Sequence, residues 1–448
     1  MVARVPQQLI WLVVFSLITG PWPVAAVEGS RTTAFEPVTA EESAVAAPLD
    51  LPALLTEALH VNPKITAARK SWEAARARIP QATGLPAPKI GVEWEEIPRG
   101  SFKLNKATAL YQLIQSLPFP GKLSARKRVA VAEAQRAAAA YRQAEWDVLG
   151  HVKSTYYDLY LVDRELEIQQ QQVIWLNQAA AAAQARYATG MAPEVEMLRA
   201  QAAALEAENQ ITIFTHRRHA MTAHLNHLLN RTGHGSAGTP GPLSLLPVPS
   251  DPDALFAQAL EHQPELLVFK FSAERAAAST RLAKRELLPD LETMFELRDP
   301  AMGPIGPWDL SLALVLPFWF WTKQRYGVQG AIADQASAEA AYQAMRNEIM
   351  TRVHEHWHEA ASAAATATLS QGQLLPLGRQ AVGSALAAYQ GGRGSFMEAL
   401  EALRMLSEQE RRYYQQLVSL EQHLVMLEEA VGVPLRPTHV VQTEGGVS

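Results

Sequence analysis

Residues 122–188 read KLSARKRVAVAEAQRAAAAYRQAEWDVLGHVKSTYYDLYLVDRELEIQQQQVIWLNQAAAAAQARYA, a stretch that contains no proline and no glycine except Gly150. Its apolar positions recur at steps of three and four, which is typical of one face of an α-helix. These positions are Val148, Val152, Thr155, Leu159, Val162, Leu166, Val173, Leu176, Ala180, Ala183 and Tyr187. At about 1.5 Å per residue, the stretch predicts one coiled-coil helix roughly 100 Å long.

A second long helix is predicted from about Lys323 to Tyr389, with a kink at Pro376 because proline breaks the helical hydrogen-bond ladder. Each long helix ends at a turn that contains glycine, after which the chain runs back as a shorter helix. The last return has an apolar seam at Leu403, Leu406, Tyr413, Leu417, Leu420, Leu424, Leu427 and Val431.

The chain is internally duplicated, as matched segments about 200 residues apart indicate. Residues 54–64 (LLTEALHVNPK) match 255–265 (LFAQALEHQPE), and Leu117-Pro118-Phe119 matches Leu316-Pro317-Phe318. Tyr187-Ala-Thr-Gly190 likewise matches Tyr389-Gln-Gly-Gly392. We therefore expect a first repeat at 51–231 and a second at 252–433, with a Gly/Pro/Ser-rich linker at 232–251 and a tail at 434–448.

Two strands are expected ahead of each long helix, joined by Pro/Gly-rich turns at 97–107 and 298–308. Apolar and polar residues alternate around Ile90–Trp94, Leu291–Leu297 and Leu310–Leu316, although Leu110–Leu117 alternates poorly. Strands of about 8–10 residues have the length that a tilted membrane strand needs. Four strands cannot close a membrane barrel and open edges are not tolerated in lipid, so the sheet must close by oligomerisation. Three copies would supply twelve strands.

The N-terminus has the features of a secretory signal peptide over residues 1–26. Arg4 provides the positive region, Leu9–Thr19 the short apolar core, and Val24-Ala25-Ala26 the small-residue cleavage site. The mature chain would start at Val27, with residues 27–50 as an extension. The alternative is an N-terminal membrane anchor. No later segment offers about 18 uninterrupted apolar residues.

Composition excludes several classes of function. The 448 residues include no cysteine, so disulfides, thiolate metal sites and a lipidated N-terminal cysteine are absent. The net charge of −5 and the lack of a Lys/Arg-rich run give a nucleic-acid partner no electrostatic support. We find no phosphate-binding loop or nucleophile elbow, and we expect neither a cofactor nor an enzymatic activity.

The duplication, the strand pairs and the Tyr-x-x-Gly turns resemble the TolC family of outer-membrane efflux proteins over residues 50–433. Leu-Pro-Phe-Pro-Gly-Lys (117–122), followed by Arg126, is similar to the CzcC/CusC metal-efflux branch. The resemblance implies a trimer with a long α-helical barrel in the periplasm and a 12-stranded β-barrel in the outer membrane. It also implies docking to a periplasmic adaptor (membrane fusion) protein and an inner-membrane RND-type pump.

The resemblance further implies that the turns at Tyr187–Pro193 and Tyr389–Ser395 form a periplasmic tip that closes the channel and meets the adaptor. Tyr187, Gly190, Tyr389 and Gly392 are the expected contact residues. The alternative is that these are ordinary helix ends with glycine in a left-handed conformation.

Three glutamates near the tip are candidates for a periplasmic gate. Glu398 and Glu401 lie three residues apart and hence on one helix face. They resemble the acidic pair that rings the entrance of TolC-like channels, and Glu196 resembles a position that locks the closed tip. The alternative is that these glutamates and Glu194 are only acidic residues in the first turns of their helices, where the helix dipole favours negative charge.

Residues 354–358, His-Glu-His-Trp-His, match the H-E-x-x-H pattern of zinc proteases, in which His354 and His358 would bind the metal. No third ligand accompanies them, and the repeat places the motif opposite 153–157 within a structural helix. A second histidine-rich stretch has His216, His219, His224 and His227, for which packing or pore lining is expected. The aromatic residues 318–321, Phe-Trp-Phe-Trp, follow the last strand and suit a membrane interface or packing at the barrel neck.

These features favour a passive outer-membrane conduit of a tripartite efflux pump, with metal cations as cargo. Alternatives within the channel class are drug or solvent efflux and type I protein secretion. A periplasmic coiled-coil adaptor and a zinc hydrolase are alternatives from other classes.

Overall fold

The computed structural model describes residues 48–95, 108–231, 238–245, 247–249, 251–298 and 308–436. The predicted signal peptide and mature start at Val27 lie outside the described residues, as do residues 96–107 and 299–307 between the strands, part of the linker and most of the tail.

The order of elements repeats along the chain. The first series is α1 Leu51–Val61, α2 Pro63–Thr83, β1 Lys89–Glu95, β2 Thr108–Leu117, α3 Lys122–Ala188 and α4 Glu194–Leu228. The second series is α5 Pro252–His262, α6 Pro264–Arg285, β3 Asp290–Arg298, β4 Trp308–Val315, α7 Arg325–Leu369, α8 Leu375–Gln390 and α9 Phe396–Val431. The prediction of a mainly helical fold with four antiparallel strands is therefore confirmed.

The short paired helices at the start of each series begin at equivalent caps. The Asn62 side chain accepts a hydrogen bond from the Lys64 amide, and Pro63 occupies the first turn of α2. In the second series Gln263 caps α6 and Pro264 occupies its first turn. Proline suits this position because the first amides of a helix have no intrahelical partner.

The first long helix, α3, is continuous over 67 residues, as the sequence predicts. Most of its apolar seam is buried, including Val152, Leu159 and Ala183, whereas Tyr187 at its end is exposed. The seam packs on α4 and α9 in two separate clusters of buried residues, one around Val152 and Leu159 and one around Leu176 and Ala183.

The second long helix is interrupted twice. A π-helical segment, Phe320–Gln324, precedes α7, and another, Ser370–Leu374, separates α7 from α8. Pro376 is the second residue after the second segment and has no amide hydrogen for the carbonyl of Gly372. The disruption predicted at Pro376 thus takes the form of one widened helical turn.

The strands form one sheet in the order β1-β2-β3-β4, with every neighbouring pair antiparallel. The central pair joins the two halves, since Leu113 of β2 faces Phe295 of β3. No helix within the described ranges is both long and apolar enough to cross a membrane.

Candidate functional site

The four strands present one apolar face. In the row through the middle of the sheet, Ile90 lies opposite Leu113, Leu113 opposite Phe295, and Phe295 opposite Leu310. Side chains two residues along each strand share this face, and most of them are exposed apolar groups. They include Val92, Trp94, Tyr111, Leu291, Leu297, Trp308, Leu312 and Leu314.

The opposite face of the sheet has more carboxylates than cations. The carboxylates come from all strands but β2 and are Glu93, Glu95, Asp290, Glu292, Glu296 and Asp309. The cations among the described strand residues of this face are Lys89 and Arg298, and the Arg298 guanidinium lies 3.7 Å from the Asp309 carboxylate. Glu296 and Asp309 stand directly opposite each other across β3 and β4. Like charges in such pairs are destabilising, and the nearby Arg298 offsets part of this repulsion.

The two glycine turns at the other end of the long helices have similar backbones. Gly190 and Gly392 both adopt positive φ, 72° and 71°, which costs a residue with a side chain more than glycine. Each turn reverses a helix into its shorter partner, so the structure places the four predicted tip residues at two equivalent helix reversals.

The two tyrosines of these turns occupy different environments. Tyr187 is 42% exposed, whereas Tyr389 is 2% exposed and packs against Phe396, with 6.0 Å between the ring centroids. The guanidinium of Arg186 lies over the Tyr389 ring and donates a hydrogen bond to the Tyr389 carbonyl, 3.3 Å away. Arg186, which the sequence analysis missed, therefore links the first turn to the second.

Glu196 approaches the same tyrosine from α4. Burial of the phenol, together with the nearby Glu196 carboxylate, raises the pKa of Tyr389 to about 12. Tyr389 Oη and Glu196 Oε1 are both enclosed, and neither has a partner among the described residues outside this pair. The structure thus brings Glu196, Arg186 and Tyr389 together at the tip.

Glu398 and Glu401 lie on the solvent-exposed side of α9, away from its buried seam. Glu398 completes a capping box: its amide donates to Ser395 Oγ, and its carboxylate accepts from the Ser395 amide. Glu401 is exposed and free to face another chain or a pore. Glu398 therefore has a structural role in addition to any role at an entrance.

A family model described as "Outer membrane efflux protein" matches residues 54–231 and 255–433. The chain belongs to the outer membrane efflux protein family. Its homologues are efflux proteins and the chain is not an enzyme.

Within this efflux family, the chain is similar to the cobalt-zinc-cadmium resistance protein CzcC of Cupriavidus metallidurans. The two are 22% identical over 389 residues, which cover 87% of this chain and 91% of CzcC. The fold matches CusC with a TM-score of 0.74 at 16% identity, over 91% of this chain and 99% of the CusC chain. It matches the open state of the Neisseria gonorrhoeae MtrE outer membrane channel with a TM-score of 0.72 at 15% identity, over 92% and 98% of the two chains.

The zinc-protease pattern is not assembled as a catalytic centre in this efflux protein. His354 lies 3.7 Å from Asp253, and the ring of His358 packs edge-on to Trp357. Across the described residues, no group of three or more His, Asp or Glu side chains is arranged to hold a metal. The histidine that turns inward is His356, whose ring lies beside that of His423 on α9.

The aromatic residues after β4 form a compact exposed cluster. The rings of Phe318, Trp319 and Trp321 pack edge to face, with centroids about 6 Å apart. All three are more than 40% exposed. The cluster lies in the chain between β4 and α7, and its exposure suits the interfacial position that the sequence predicts.

Proposed function

We propose that this efflux-family chain is the outer-membrane channel of a tripartite pump and that its cargo consists of metal cations. A homotrimer would close three four-stranded sheets into a twelve-stranded barrel. A periplasmic adaptor and an inner-membrane RND-type pump would supply the energy and deliver the cargo to the helical tip.

The observation that carries this proposal is the two-faced sheet. Its apolar face, with Leu310, Leu312 and Leu314 exposed, suits lipid, because a continuous exposed apolar patch marks an interaction surface and alternating strands of this kind face lipid in membrane barrels. Its acidic face would then line the lumen. Low-dielectric walls focus the field of such carboxylates and concentrate cations.

The tip supports the same assignment. A threefold assembly would bring Glu398 and Glu401 of each chain toward the axis, where six carboxylates would form a cation-attracting entrance. We assign the closed state of this entrance to the packing of Tyr389 with Arg186 and Glu196. The resistance phenotype in the name of CzcC agrees with a metal cargo.

A deletion strain of the native host tests the proposal. We expect loss of the chain to lower tolerance of cobalt, zinc or cadmium salts and to raise the metal content of the cells, with tolerance of hydrophobic drugs unchanged. Re-expression of the wild-type chain is the control. Unchanged metal tolerance with a new sensitivity to drugs or solvents would replace metal efflux by the alternative cargo.

Fractionation and mass measurement test the assembly. The mature chain should sediment with the outer membrane and give three protomers per particle in detergent after correction for bound detergent. Recovery as a soluble periplasmic monomer would instead favour the adaptor class.

A further inference from the structure

Two histidines meet inside the helical region at a point that the proposed channel function does not use. His356 lies on α7 and His423 on α9, with their ring centroids 5.8 Å apart and the ring planes inclined by 36°. His356 falls on the seam of α7, between the buried residues Val353 and Ala360. The helix packing itself therefore holds the two rings face to face.

One nitrogen of each ring has no hydrogen-bond partner among the described residues. The Nδ1 atoms of His356 and His423 are both enclosed and make no hydrogen bond to any described residue. Leaving an enclosed polar atom without a hydrogen-bond partner typically costs about 1–3 kcal/mol of stability. Two such atoms at one contact indicate a ligand that binds both. An imidazole nitrogen offers a lone pair to a borderline metal ion.

The surroundings favour a cation. His356 lines a cavity of about 280 Å³ together with Asp147, Glu265, Glu429 and Arg352. Arg352 is already neutralised, because it forms ion pairs with Glu265 at 2.8 Å and Glu348 at 2.6 Å. The other carboxyl groups that line this space, Asp147 and Glu429, offer oxygen atoms as hydrogen-bond acceptors, and the space is large enough for several metal-bound waters.

We propose that His356 and His423 together bind one divalent transition-metal cation of the zinc, cobalt or copper class between α7 and α9. Metal–nitrogen bonds of about 2.0–2.1 Å would place two rings on one tetrahedral ion with their centroids roughly 5 Å apart, within about 1 Å of the observed spacing. Water would complete the coordination, with the Asp147 and Glu429 carboxyls as hydrogen-bond acceptors across the cavity. The bound ion would cross-link the two helices.

The test uses the full-length trimer in detergent at pH 7.5 after treatment with a chelator. Calorimetric titration with Zn²⁺ should show one ion per chain, and zinc X-ray absorption should show two imidazole nitrogens at about 2.0–2.1 Å. His423→Gln should weaken this binding at least tenfold while preserving the helical circular dichroism. The double variant His354→Gln with His358→Gln is the matched control and should bind as the wild type does.

The proposal is overturned if the wild type binds no Zn²⁺ at micromolar concentration, or if His423→Gln binds it unchanged. It is equally overturned if the control variant loses the ion, because the H-E-x-x-H residues would then be the ligands. The zinc X-ray absorption spectrum of the wild type identifies the ligands directly, so the proposal remains testable even if His423→Gln does not fold. A negative result leaves the channel assignment untouched, since that assignment rests on the sheet.

Discussion

The guanidinium carbon of Arg186 lies 4.9 Å from the centre of the Tyr389 ring, so the last turn of α3 covers the last turn of α8. A cation above an aromatic face contributes about 0.5–2 kcal/mol, depending on its desolvation. The contact joins the two halves of the chain at the tip and makes their packing there depend on a single ring.

Replacement of that ring should loosen the tip. Tyr389→Ala removes the platform for Arg186 and the contact with Phe396, at a local cost of about 3–5 kcal/mol. We expect higher single-channel conductance in planar bilayers and greater uptake of large antibiotics by cells. Tyr389→Phe should have a much smaller effect, because it keeps the ring beneath Arg186 and removes only the hydroxyl that interacts with Glu196. Tyr187→Ala is the matched control, and an equal effect there would contradict the assignment.

The acidic entrance can be neutralised without unfolding its helix. Glu398→Gln retains the capping box, in which glutamine serves as well as glutamate, and Glu401→Gln changes an exposed residue. The double variant should lose cation preference and block by multivalent cations in bilayer recordings. Glu206→Gln, on an exposed part of α4, should change neither property. Retained selectivity in a folded double variant would assign both glutamates to a solvated helix face.

A positive charge introduced on one face of β4 should prevent assembly, whereas the same charge on the other face should be tolerated. Leu312→Arg places a cation on the apolar face, which costs about 2–4 kcal/mol at the centre of a bilayer. The neighbouring Ser311→Arg places it on the acidic face. We expect the first variant to fail in outer-membrane assembly and the second to assemble as a trimer with reduced cation preference. The reverse pattern would invert the orientation of the sheet.

The buried ion pair between Lys153 of α3 and Glu428 of α9 should be critical for stability. Glu428→Gln leaves the ammonium group buried without its counter-charge, which typically costs about 3–5 kcal/mol. Thermal unfolding followed by circular dichroism should show a clearly lower midpoint. Glu408→Gln breaks an exposed pair with Arg412 and should leave the midpoint almost unchanged. Equal midpoints for both variants would show that the buried pair contributes little.

Glu429 should make stability depend on pH. Burial, reinforced by the adjacent Asp147 carboxyl, raises its pKa from 4.5 to about 7. The folded chain therefore keeps a proton that the unfolded chain releases, and this residue costs increasing stability as pH rises from about 4.5 to 7. Glu429→Gln removes that cost. Its unfolding midpoint should exceed that of the wild type by on the order of 2 °C at pH 8 and by much less at pH 5. A pH-independent difference would contradict the raised pKa.

The periodicity of apolar residues was enough to predict those elements whose buried positions recur at regular intervals. The seam of α9 was predicted residue by residue because Leu417, Leu420, Leu424 and Leu427 pack on a single side. The strand at Leu110–Leu117 was harder to predict because its apolar residues lie on both faces: Leu110 is buried on one face, whereas Leu113 is exposed on the other.

The environments of equivalent residues could not be predicted. Tyr187 and Tyr389 have the same motif, yet only the fold shows that Arg186 covers one of them. Similarly, the H-E-x-x-H pattern drew attention to His354 and His358, whereas the spacing of Ile349, Val353 and Ala360 marks His356 as the inward position. That spacing was available in the sequence, but its partner His423 follows only from how α7 packs on α9.

The positions of the two π-helical segments also indicate how the two repeats came to differ in length. Tyr141 and Tyr342 are 201 positions apart, and Tyr187 and Tyr389 are 202 apart, with Ser370–Leu374 lying between the second members of these pairs. Leu117 and Leu316 are 199 apart, and Phe320–Gln324 lies just after them. An α-helix absorbs an added residue by widening one turn. The wide turns thus mark where the two copies of an ancestral gene segment came to differ in length after doubling, and relatives whose copies remained equal there should have unbroken helices.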